Sequence, residues 1–128
     1  MKVLALDYGS ARTGVAVSDP SGTIARPLGV VERAGSESGI ARLADLIREE
    51  EAERVVVGLP LTLHGERGAQ ARETEAFVEA LRAAVGVPVE SYDERFTTRL
   101  AQTAPGPDDA RAAAHLLSSY LEWLSAPK

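Results

Sequence analysis

The chain has no cysteine, which excludes disulfides, thiolate zinc sites and cysteine nucleophiles and agrees with a reducing compartment. It has no apolar run near the roughly 18 residues that would span a bilayer. The N-terminus, Met1-Lys2-Val3-Leu4-Ala5-Leu6-Asp7, brings in charge before a signal-peptide hydrophobic region can develop, so a cytoplasmic protein without a membrane partner is expected. A basic surplus is also missing: 14 Lys and Arg face 19 Asp and Glu, for a net charge of −5. Proteins that hold nucleic acid mainly through phosphate contacts usually carry the opposite balance. Lysine itself is scarce, with twelve of the 14 cations being arginine, and guanidinium grips phosphate bidentately where ammonium acts as a point charge. Composition alone favours scattered surface arginines and leaves room for a local patch.

What is present is an ordinary globular balance, 45% hydrophobic and 26% charged, over 128 residues, which predicts one compact domain across residues 1–128. Residues 2–8, 13–19 and 24–31 read as three strands joined by tight turns, Tyr8-Gly9-Ser10-Ala11-Arg12 and Asp19-Pro20-Ser21-Gly22, which predicts an antiparallel meander. A helix is expected from Ser36, with Ile40, Leu43, Ala44, Leu46 and Ile47 at spacings of three and four. Arg54-Val55-Val56-Val57-Gly58 reads as a strand buried on both faces. A polar loop to about Gly68 precedes a second helix with a stripe of Ala76, Phe77, Ala80, Leu81 and Ala84, closed by Gly86 as C-cap. A short strand over 87–92 and a last helix from near Asp108 complete the order β-β-β-α-β-α-β-α. That order predicts an α/β fold with a mixed sheet, antiparallel at first and parallel after the crossovers, with helices on its faces.

Three acidic positions break the apolar pattern. Asp7 shares a face with Val3 and Ala5, where another aliphatic side chain is expected, and ends its strand where α/β sheets commonly bind ligands. An ordinary turn-capping Asp explains it equally well. Asp109 heads a stripe of Ala113, Leu116, Leu117, Tyr120 and Leu124, and Asp108 is the natural N-cap, leaving Asp109 for another role or for the helix dipole. Asp93-Glu94-Arg95 follows the last strand. Parity puts Asp93 with Val87 and Val89 and Glu94 with Glu90 and Tyr92, a count that a turn would reset, so either acid fits a shared site. Converging carboxylates suit Mg²⁺ or Mn²⁺, hard cations that take oxygen ligands and promote phosphodiester hydrolysis. His64, in a loop, and His115, amid alanines on the last helix, make no convincing zinc set with these acids.

Leu6-Asp7-Tyr8-Gly9-Ser10 with Arg12 and Gly14-Val15-Ala16-Val17-Ser18-Asp19, then Val57-Gly58-Leu59-Pro60-Leu61 with Gly65 and Gly68, then Asp93-Glu94-Arg95-Phe96-Thr97-Thr98, then Asp109 with Ala112-Ala113 and Tyr120-Leu121 closely resemble the YqgF/RuvX family from about residue 3 to 124. The resemblance implies a ribonuclease H-like fold of five strands and a metal-dependent nuclease, with members described as acting on pre-16S rRNA in ribosome biogenesis or as Holliday junction resolvases. It implies catalytic, metal-binding acids at Asp7, Asp109 and Asp93 or Glu94, with Mg²⁺ or Mn²⁺ as cofactor. Ser10, Arg12, His64, Arg67, Arg95, Thr97 and Thr98 are the expected substrate contacts, the nucleic-acid partner being pre-rRNA or branched DNA. Junction cleavage would favour a homodimer over a monomer, since two cuts need two sites. Only ten residues separate Thr98 from Asp109, where the family usually carries a longer, basic insertion; Thr62, His64 and Ser118 also depart from its common Asn, Asp and Gln. Two other classes compete. One is a nucleotide-dependent phosphotransferase, suggested by Asp7-Tyr8-Gly9-Ser10 but lacking a second lobe. The other is a non-catalytic RNA-binding module for ribosome assembly, which gives no reason to gather acids against phosphate.

Overall fold

The computed structural model describes residues 1–60, 68–93 and 109–126. Along the chain come β1 (Val3–Asp7), β2 (Arg12–Ser18), β3 (Ala25–Glu32), α1 (Glu37–Glu49), β4 (Arg54–Leu59), α2 (Ala69–Ala84), β5 (Val89–Asp93) and α3 (Asp109–Ser125). They build one five-stranded sheet in the order β3-β2-β1-β4-β5. β1 pairs antiparallel with β2 and parallel with β4, so the meander and the crossover half meet on the strand that carries Asp7. The predicted mixed sheet is the observed one, with strand ends moved by one or two residues.

β1 and β4 are apolar without alternation because both of their faces are covered. Leu4, Leu6, Val15, Val55 and Val57 pack with Leu43 and Ile47 of α1 and Phe77, Val78 and Leu81 of α2. Val3, Ala5, Ala16, Val56 and Tyr92 face the other way, against Ala113, Leu116, Leu117, Tyr120 and Leu121 of α3. The stripe expected on α3 is therefore its buried face. On α2 the expected stripe is rotated: Ala76, Ala80 and Ala84 are exposed, and Ala71, Thr74 and Val78 are buried beside Phe77 and Leu81. Either flank of the Phe77–Leu81 pair could have turned inward, and the one holding Val78 removes more apolar surface from water. Gly86 is not the cap of α2; Val85 is, in an extended conformation with φ −126° and ψ 159°.

Polar groups set the connections. Ser36 caps α1 by accepting from the Gly39 amide at 3.0 Å. In the β2–β3 turn the Asp19 carboxylate accepts from the Ile24 amide (2.9 Å), the Ser21 hydroxyl and the Thr23 amide (2.7 Å), and these bonds hold its carboxyl well below the usual carboxylate range. β3, at the edge, is irregular: Val15 faces Gly29 and Ala16 faces Pro27, so Leu28 is the extra residue of a bulge. Among the described residues no helix is long and apolar enough to cross a membrane.

Candidate active site

Asp7 ends the central strand, half-buried, directly opposite Gly14 of β2. It lies on the α3 face by alternation from Val3 and Ala5, which pack against that helix. Gly14 decides what can lie above it. A Cβ built on Gly14 would stand 1.8 Å from the Asp109 carbonyl oxygen, so the first residue of α3 rests on the strand where a side chain is missing. Directly paired residues of an antiparallel ladder have Cβ positions about 5 Å apart. One backbone contact thus brings two sequence-predicted acids, Asp7 and Asp109, to the same end and the same face of the sheet.

Arg12 joins them. It lies two residues from Gly14 on the same strand face, and its Nε is 3.3 Å from Asp109 Oδ2. Ser10 is exposed in the connection between β1 and β2, where the Gly9 amide donates to the buried Thr13 hydroxyl at 3.3 Å. A Cβ on Gly9 would meet the Arg12 carbonyl oxygen at 2.5 Å, which explains glycine in this tight connection. On the opposite face Tyr8 stacks on Phe77 of α2, with ring centroids 4.4 Å apart. Burial, and then the charge of Glu73, raise its hydroxyl above the ordinary tyrosine value.

Asp93 stands apart. β5 pairs Leu59 with Asp93 and Gly58 with Tyr92, so Asp93 is at the correct end of the sheet. Tyr92, however, packs with the α3 cluster, while Ser91 lines a groove with Glu75, Val78, Glu79 and Arg82 of α2. Alternation therefore sets Asp93 on the α2 face, away from Asp7. Glu94, His64, Arg67, Arg95, Thr97, Thr98 and Asp108 lie outside the described residues. His115 is partly buried along α3, as its surroundings led one to expect. Among the described residues no three acids or histidines are close enough together to hold one metal ion. Gly14 enters the sequence reading only within the family resemblance, and the close backbone approach it permits is invisible to periodicity.

A half-parallel sheet with helices on both faces, and acids at the carboxyl end of its central strand, is the arrangement of the ribonuclease H class of nucleases. Three comparisons narrow this. The family model of RuvX, described as Holliday junction resolvase, matches residues 1–123, and the chain belongs to that family. A protein of Anaeromyxobacter sp., named as a candidate pre-16S rRNA nuclease, is 44% identical over 133 residues, covering 95% of this chain and 97% of its own. One from Chloroflexus aurantiacus, with the same name, is 46% identical over 100 residues, 78% of this chain and 65% of its own. Among solved structures, Thermus thermophilus RuvC in complex with a Holliday junction substrate matches with a TM-score of 0.66 at 22% identity, over 97% of this chain and 95% of its own, which bears out the fold. The family description and the relatives' names point to two different substrates, a DNA junction and an rRNA precursor.

Proposed function

We propose that the chain is a divalent-metal-dependent endonuclease that trims the 5′ end of pre-16S rRNA in the cytoplasm. The observation that carries this reading is that Gly14, paired with Asp7, bears the backbone of Asp109, so that two acids belong to one end and one face of the sheet, where gathered carboxylates favour a bound cation. The donors fit the ion. Both are hard oxygen ligands of the kind Mg²⁺ and Mn²⁺ prefer, and Asp109 already attracts a cation, the Arg12 guanidinium. Asp93 or Glu94 is proposed as the third ligand on the strength of the family resemblance, alternation along β5 turning Asp93 towards α2.

A bound pair of such ions supplies water activation and charge neutralisation at the leaving oxygen. The protein's part is positional. Asp7 is held by a strand paired on both sides, so it moves little, and Asp109 is held by a helix anchored through Ala113, Leu116 and Leu117. Arg12, beside Asp109, is suited to take a non-bridging phosphate oxygen and orient the phosphodiester over the acids. Ser10, His64, Arg67, Arg95, Thr97 and Thr98 are proposed to line the remaining substrate path, on the strength of the family resemblance.

The family description favours a second reading, resolution of a four-way DNA junction by a homodimer with two such sites. Both are tested together by Mn²⁺-dependent cleavage of a pre-16S rRNA 5′ fragment beside a four-way junction, with Asp7→Asn as control. Cleavage of the RNA alone supports the first reading, cleavage of the junction alone the second. Equal cleavage by Asp7→Asn would exclude both.

A further inference from the structure

We propose that Arg33 is a second phosphate-binding residue, gripping the nucleic-acid strand at a phosphate other than the one attacked; the inference rests on the nuclease reading above. β3 ends at Glu32, which pairs with Arg12, and the next amide, that of Arg33, donates to the Ala11 carbonyl at 2.9 Å. Arg33 therefore sits at the same end of the sheet as Asp7 and Asp109. β3 and β1 are separated by two strand spacings, about 10 Å.

The backbone of Arg33 is left-handed, with φ 47°. Its carbonyl accepts from both the amide (2.9 Å) and the hydroxyl (2.7 Å) of Ser36, so the conformation is fixed from both sides. Glycine adopts such a conformation freely, and side chains other than Asn or Asp rarely do. Strained residues of this kind collect at functional sites. Here the left-handed turn leads into α1, whose Gly39 lies tight against the Arg33 carbonyl, and it pins the Cα of a long cation at the rim of the site.

The guanidinium of Arg33 is exposed and has no ion-pair partner among the described residues, whereas Arg12 is engaged by Asp109. On a chain of net charge −5, phosphate contacts have to be local. The acids at the centre repel the same phosphates they help to cut, and a cation next to them competes with metal. Arg33, set to the side, attracts the flanking backbone without occupying a carboxylate.

Arg33→Gly removes the guanidinium while relieving the backbone, so loss of folding does not confuse the result. The probe is single-stranded RNA covering the 5′ leader of pre-16S rRNA, bound to protein carrying Asp7→Asn so that it is not cut. Arg33→Gly is expected to weaken binding about fivefold. The slope of log affinity against log salt should fall by about 0.7, the value of one single-strand phosphate. With Asp7 restored, KM should rise while kcat holds, the melting temperature should not fall, and Arg33→Lys should keep the wild-type salt slope. Wild-type affinity and slope in Arg33→Gly, or a fall in kcat with KM unchanged, would overturn the proposal while leaving the nuclease intact. Failure of the wild-type protein to bind and cut this RNA would overturn the proposal together with its rRNA substrate.

Discussion

Gly14 and Asp109 touch backbone to backbone, with the Asp109 carbonyl oxygen occupying the space a Gly14 side chain would need. The contact ties the start of α3 to the strand beside Asp7, so the spacing of the two acids depends on one absent methyl group.

Gly14→Ala is therefore predicted to harm cleavage as well as stability. Overpacking by a methyl group costs about 1–3 kcal/mol when the surroundings must shift, and the element free to shift is the first turn of α3. A folded variant should lose at least about tenfold in rate, a barrier change near 1.4 kcal/mol. Thermal melts and cleavage rates on one preparation check this. A folded Gly14→Ala protein that cuts at the wild-type rate would show that the contact does not position Asp109.

Metal and Arg12 should compete for Asp109. An exposed ion pair contributes about 0–1 kcal/mol, so Arg12→Gln is predicted to tighten Mn²⁺ binding by up to about fivefold. Asp109→Asn should abolish both Mn²⁺ binding and cleavage. Titration calorimetry of the three proteins decides it: Mn²⁺ binding by Asp109→Asn equal to wild type would remove this acid from the metal set.

At the other end of α3 a polar group should govern alkaline stability. Arg54 Nη1 donates to the Tyr120 hydroxyl at 3.0 Å, and that hydroxyl donates to Glu90. Burial first, then the hydrogen bond to Glu90, raise the Tyr120 hydroxyl above its ordinary value, while the Arg54 bond acts the other way. A raised folded value means that this contribution is complete below the unfolded tyrosine value, near 10, and is lost as pH rises through the folded one. Denaturant midpoints should fall in that alkaline window, and fall less steeply for Tyr120→Phe, with the part due to Tyr8 remaining. An identical alkaline decline in both proteins would show that Tyr120 is not responsible.

Among the described residues Glu51 is the other left-handed one outside glycine, φ 55°, just past the end of α1, where the Ala52 amide donates to the Ile47 carbonyl at 3.0 Å. Helices commonly place glycine at this position. Glu51→Gly is predicted to stabilise the protein by roughly 0.5–1 kcal/mol, with cleavage unchanged because Glu51 lies at the end of the sheet away from Asp7. A lower melting temperature would refute the strain argument here and weaken it for Arg33.

The sheet and the helices were legible from apolar periodicity, because a strand covered on both faces and a helix covered on one leave different spacings in the chain. Asp7 and Asp109 were legible for the converse reason, as charges set where the pattern called for aliphatic side chains. Parity along β5 could not by itself place Asp93, since only the packing of Tyr92 against α3 and Ser91 against α2 tells which face its parity belongs to. The inward flank of α2 was hidden because alanine is equally at home on either side of a helix. Gly14 and Arg33 were hidden more deeply: a close backbone approach and a left-handed arginine arise from tertiary contacts and have no signature in spacing.

The irregular edge of the sheet has a consequence for the protein in concentrated solution. An open edge strand offers unpaired amides and carbonyls to any strand that meets it, including the same strand of another copy. On β3 that row is interrupted at Pro27, which has no amide hydrogen to give, and bent at Leu28 by the bulge beside it. The exposed Val30 thus sits on a ladder that cannot be extended in register past its middle, which guards this edge against fibril-like growth.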